Sequence, residues 1–157
     1  MKVKKLPYIE GTWFAIPLLQ GGFGVGVVAR AKGRGKVILA YFYGPWRATI
    51  PKLAEVENYK PQDAIRKIRV GNVGLVEGNW PIIGRSELWK RSEWPMPVFI
   101  RRALLGHAKA WAVYYSDANP RKMEGETPVS PRTGGLEEDG SYGDKATQKL
   151  LTYLLHK

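Results

Sequence analysis

Gly11-Thr-Trp-Phe-Ala-Ile-Pro-Leu18, Gly22-Phe-Gly-Val-Gly-Val-Val28 and Lys36-Val-Ile-Leu-Ala-Tyr-Phe-Tyr-Gly44 decide the fold. They are three β-branched and aromatic runs in succession, broken only by short glycine-bearing segments around residues 20–22 and 32–35. A parallel pair needs a crossover of a dozen residues or more, and none fits between these runs. The strands must therefore pair antiparallel as a meander. In the first run, Thr12, Phe14, Ile16 and Leu18 alternate with Trp13, Ala15 and Pro17. Pro17 has no N–H for a ladder, so the strand is an edge or stops there. The second run places Val25, Val27 and Ala29 on one face and Gly24, Gly26 and Val28 on the other. Two glycines on one face admit a ring or a backbone, or let the strand bend. The third run is apolar on both faces and reads as a central strand.

Outward from this meander the signals thin. Pro51 to Asn58 reads as one or two helical turns. Residues 63–70, 80–84, 97–101 and 110–115 read as short strands, the last with Trp111, Val113 and Tyr115 on one side. Residues 117–142 are rich in Pro, Gly, Ser, Thr and acids and read as a long surface loop. The end turns helical over 144–156, where Ala146, Leu150, Tyr153 and Leu154 recur at helical spacing and Asp144 is the expected N-cap. The expectation is one α+β domain over 1–157, mostly β. Its sheet is a strongly bent antiparallel one or an SH3-like small barrel, with a C-terminal helix and a basic tail over 1–10.

With 157 residues the chain can bury a real core, and six Trp and eight Tyr supply much of its area. It has no cysteine, which removes disulfides, thiolate metal sites and a Cys nucleophile. No export signal and no apolar run of membrane-spanning length is read, so the expected location is cytoplasmic, with no membrane partner. Net charge is +11, yet residues 1–53 hold one acid, Glu10, against nine Lys or Arg. Residues 117–144 reverse the balance, with Glu137, Glu138 and Asp139 adjacent. A cationic face of this kind attracts nucleic acid, anionic lipid or an acidic protein.

Catalytic groupings are scarce. Gly24-Val-Gly26-Val-Val-Ala29 fits the dinucleotide fingerprint by letter, but that mechanism needs a strand-to-helix turn and these glycines lie inside a strand pattern. Only His107 and His156 offer imidazole, no Asp-rich spacing suggests magnesium or calcium, and Glu137-Glu138-Asp139 reads as a solvated acidic loop. No nucleophile elbow lies near His107. Neither a cofactor, a metal site nor a catalytic residue is expected, and the chain is not read as an enzyme. What remains is a mixture of flat rings and cations: Trp46, Arg47, Trp80, Arg85, Trp89, Lys90 and Arg91. Such sets anchor protein interfaces, and they also stack bases on small barrels.

The segments Gly11 to Leu18 and Gly22 to Val28, with Trp80-Pro-Ile-Ile-Gly84, Pro97-Val-Phe99 and Asp139-Gly-Ser-Tyr-Gly143 before a terminal helix, resemble immunity family twenty-six of bacterial polymorphic toxin systems. The resemblance implies a cytoplasmic protein that binds a cognate toxin. Part of that family also carries a phosphotriesterase label. Metal phosphotriesterases use several histidines, and this chain has two. Many nuclease immunity proteins are acidic, whereas this chain is basic, so the expected toxin presents an acidic face or is held by 117–142. A nucleic-acid-binding β-barrel module is the alternative, and organophosphate hydrolysis ranks last.

Overall fold

The computed structural model describes residues 5–103 and 109–156. The meander forms as read. Strands β1 (Thr12–Pro17), β2 (Phe23–Arg30), β3 (Val37–Arg47) and β4 (Arg66–Gly71) pair antiparallel in succession. Strand β5 (Ile82–Arg85) adds antiparallel to β1, so β1 is interior and simply ends at Pro17. The two-residue β10 (Ser141–Tyr142) closes the far side by pairing parallel with β4. The sheet order is β10-β4-β3-β2-β1-β5, bent but not closed into a barrel.

A second, four-stranded sheet also stays open. Strands β6 (Phe99–Arg102), β7 (Ala110–Tyr115), β8 (Met123–Val129) and β9 (Glu137–Glu138) lie in the order β8-β7-β6-β9. The reading of 117–142 as a surface loop is therefore corrected. Pro128 and Gly125 weaken the strand pattern of β8, but β8 pairs only with β7, and an edge tolerates both residues. β9 and β10 are too short for any period to register.

The first sheet is buried on both faces. One face carries Phe14, Ile16, Val28, Ile38, Phe42 and Val70, covered by Trp80 and by Leu151 and Leu155 at the C-terminal end. The other carries Trp13, Val25, Val27, Leu39, Tyr41 and Tyr43, covered by Trp94 and by Phe99 and Val113 of the second sheet. Gly26 lies on the first face, where an added Cβ would come within 2.5 Å of the Phe14 ring. The glycines thus serve sheet packing, which is also why the fingerprint reading fails.

Helices are short except the last. α1 (Leu53–Val56) falls inside the expected helical segment, and Glu55 accepts from the Lys52 N–H at 3.3 Å. α2 (Val73–Val76) carries Leu75 into the core. α3 (Asp144–Leu154) begins after Gly143, with Asp144 in its first turn rather than at the cap. Its buried positions are Thr147 and Leu151, while Tyr153 is 79% exposed. The stripe lies one residue beyond the one read from Ala146. Thr147 can occupy it because its hydroxyl donates to the Gly143 carbonyl at 2.8 Å. The supposed tail is also partly core, since Tyr8 is buried and accepts a hydrogen bond from Asn72. No helix among the described residues is long and apolar enough to cross a membrane.

Candidate functional site

The seven ring-and-cation residues do not form one patch. Trp80 is 2% exposed, stacked on Phe14 at 5.5 Å with planes 5° apart. It is core and is withdrawn as a partner anchor: interleaving with cations does not tell a buried ring from a surface one. Trp46 is half-buried against the same cluster, where its indole donates to the Gly21 carbonyl at 3.0 Å. It holds the β1–β2 turn.

The other five gather around the second core face. Arg47 donates to the Tyr59 hydroxyl at 2.5 Å and pairs with Glu55 at 3.2 Å. Arg85 donates to the Glu10 carbonyl at 3.1 Å. Trp89 lies half-buried, stacked on Trp94 at 6.4 Å. Gly11 makes this possible: at φ +93° it occupies backbone space that disfavours a side chain, and a Cβ there would sit 3.0 Å from the Trp89 ring. Lys90 is exposed and pairs with no carboxylate among the described residues.

Arg91 is the hub of a network that sequence reading missed. Its Nε meets Glu10 at 2.8 Å, Nη1 meets Asp117 at 2.6 Å, and Nη2 donates to the Asp117 carbonyl at 2.7 Å. Asp117 also accepts from Arg30 Nε at 2.9 Å, and Arg30 is 3% exposed. A register shift between Val28 and Arg30 sets Arg30 opposite Leu39, whose side chain belongs to the inter-sheet core. A bulge of this kind redirects a side chain. The Arg91 guanidinium, followed by Arg30, holds the Asp117 carboxyl below its ordinary value, and Asp117 in turn raises Arg91. The network ties β2, the 3-10 turn at Arg91–Glu93 and the segment after β7 into one rigid corner.

The acidic triplet is likewise structural. Asp139 binds Arg69 and Tyr115 between the sheets. Glu138 pairs with Arg102, and Glu137 accepts from the Lys67 N–H at 3.0 Å while burial pushes its carboxyl up. The reading of these three as a solvated loop is corrected: each is committed to a partner. His107 lies outside the described residues, and His156 is exposed near the end of the chain. Among the described residues no group of three or more His, Cys, Asp or Glu could hold a metal ion.

The fold and this corner define a β-rich protein in which half-buried Trp89 and the exposed cations Arg85, Lys90 and Arg91 share a braced frame. The family model described as Immunity protein 26 matches residues 9–111, and the chain belongs to that family. The match covers the six-stranded sheet through β5 together with β6 and the start of β7. It leaves out the Asp139-to-Gly143 motif. No curated protein and no solved structure matches the chain.

Proposed function

We propose that this chain is an immunity protein that binds and neutralises a cognate bacterial toxin in the cytoplasm. The observation that carries the proposal is family membership over 9–111, the span that supplies Arg85, Trp89, Lys90 and Arg91 and every corner residue but Asp117. Trp and Arg dominate the energy of protein interfaces, and they act best when preorganised. Here Trp89 is seated under Gly11 and Arg91 is fixed by two carboxylates. Neutralisation is steric occlusion of the toxin's working surface, with acidic groups of the toxin facing Lys90 and Arg85. The bulky tryptophans Trp46 and Trp80 brace the frame from behind.

This reading is supported better than a nucleic-acid platform. Base stacking needs open ring faces beside available cations. Trp80 and Trp94 are buried, and Arg91 is already neutralised by Glu10 and Asp117. Co-purification with the toxin encoded beside its gene tests the proposal. Formation of a complex that abolishes toxicity, weakened by Lys90→Glu with Arg85→Glu, is the expected result. Absence of a complex at micromolar concentration would overturn it. Fluorescence anisotropy with single- and double-stranded oligonucleotides at low salt should show no binding.

A further inference from the structure

We propose that the slot between Tyr59 and Trp89 is a receptor for one lysine side chain of a protein partner. The cavity is about 170 Å³ and is lined by Tyr59, Trp89 and Trp94, with Glu57, Glu93 and Lys60 around them. Pockets that hold drug-sized ligands run from about 300 Å³ upward, so this smaller slot takes a single side chain. A cation is drawn to aromatic faces by their negative quadrupole, most strongly to Trp. Carboxylates beside the rings then receive the ammonium hydrogens.

Two features make the slot more than a gap between rings. Its walls are held in place: Tyr59 packs on Tyr43 at 5.0 Å and on Trp13 at 6.0 Å, and its hydroxyl receives Arg47. Trp89 is stacked on Trp94 and wedged against Gly11. Its two carboxylates are unspent, for neither Glu57 nor Glu93 makes a side-chain hydrogen bond or ion pair among the described residues. Glu10, Glu55, Asp117, Glu126, Glu138 and Asp139 are committed to arginines, whereas Glu57 and Glu93 are the carboxylates that line this slot and are left available there.

Lys60 lines the slot and Arg47 reaches the Tyr59 hydroxyl. Arg47 is engaged by Glu55, and Lys60 pairs with neither slot carboxylate. Lys60 therefore opposes an incoming cation without occupying its place. Leu88, 60% exposed at the rim, supplies apolar contact for the lysine stem. The assignment concerns the ligand of this slot and stands whether or not the partner is a toxin.

The test follows the Trp89 indole proton by NMR, assigned through its loss in Trp89→Phe. The full-length protein is titrated with a blocked lysine peptide, n-butylammonium, tetramethylammonium and 1-butanol. Saturable shifts at millimolar concentration are expected for the lysine peptide and n-butylammonium but not for 1-butanol. Glu57→Gln with Glu93→Gln should weaken the peptide roughly fivefold, and Lys60→Met should strengthen it roughly twofold. Both variants change exposed or half-exposed polar groups, so an unchanged remainder of the spectrum confirms that they fold. Equal response to 1-butanol, no saturable shift, or an affinity indifferent to the Gln pair would overturn the proposal. Tighter binding of tetramethylammonium than of the lysine peptide would overturn the protein side chain as ligand.

Discussion

The Tyr115 hydroxyl donates to Asp139 Oδ1 at 2.6 Å, joining the second sheet to the short link between β9 and β10. Arg69 of β4 reaches the same oxygen at 3.4 Å, and its guanidinium lies 3.6 Å from the Tyr115 ring centre. Six residues from β9 to β10 thus pair in turn with the second sheet and with the first, and Asp139 sits where they cross over. Its backbone N–H is also spent, on the Ile100 carbonyl at 2.8 Å.

Asp139→Ala should be the most damaging polar substitution between the sheets. The Arg69 side chain is 9% exposed and that of Asp139 14%, so removing the carboxylate leaves a largely buried cation without its counter-charge. A loss of about 3 kcal/mol is expected. Arg102→Ala removes a pair whose members are 39% and 64% exposed, and should cost under about 1 kcal/mol. Urea denaturation of both variants checks the contrast.

Alkaline pH should unfold the protein through its buried tyrosines. Burial pushes the Tyr41 hydroxyl up to about 12 and raises Tyr43 as well, and each donates to a backbone carbonyl at 2.6 Å. Burial and Asp139 raise Tyr115 to about 12. The ordinary value is 10.0, so from there upward the unfolded chain gives up these protons first. The contribution of Tyr41 and Tyr115 is complete below pH 10 and is lost as pH rises through about 12, and that of Tyr43 begins to be lost over the same rise. The slope is about 1.4 kcal/mol per pH unit for each buried tyrosine. Stability measured from pH 9 to 12 should fall steeply, and less steeply in Tyr41→Phe.

Acid should loosen the opposite corner. The Asp117 carboxyl is held below its ordinary 3.8 by Arg91 and Arg30. Its stabilisation is therefore present above that value and lost as pH falls through the folded one. The side chain is 59% exposed, so solvent screens it, although Arg30 beneath is buried. Asp117→Asn should cost about 1–2 kcal/mol at neutral pH. That difference should shrink below pH 4 in a series of denaturation curves.

The meander was legible because its glycine breaks leave antiparallel pairing as the sole option, and the mostly-β architecture with a terminal helix followed. What was not legible depends on contacts between distant segments. Arg30 and Asp117 meet only because a bulge turns one strand end, and no local pattern marks a bulge without special residues. Trp80 and Trp89 both belong to a stretch in which rings and cations interleave, and that pattern does not separate a core ring from one at the rim. A glycine admits each ring, Gly74 for Trp80 and Gly11 for Trp89; what separates them is that Trp80 stacks on fully buried Phe14 while Trp89 lies half-buried against Trp94. The α3 stripe was displaced because Thr147 reads as polar until its hydroxyl is seen to be satisfied within the helix.

Gly26→Ala tests whether the glycines of β2 serve ring packing. Gly26 pairs directly with Phe14 across β1 and β2, and an added methyl would lie 2.5–3.0 Å from three atoms of the Phe14 ring. That ring is fully buried, edge-on to Phe42 and stacked on Trp80, so it has no free direction in which to retreat. Overpacking of this kind costs about 1–3 kcal/mol, opposing the gain of about 0.5–1 kcal/mol that alanine brings over glycine within a strand. A net loss of about 1–2 kcal/mol in urea is expected. The double variant Gly26→Ala with Phe14→Leu should lose less stability than the two single losses summed, because the smaller side chain leaves space for the new methyl. Strict additivity in that cycle would mean that the ring and the glycine do not constrain each other.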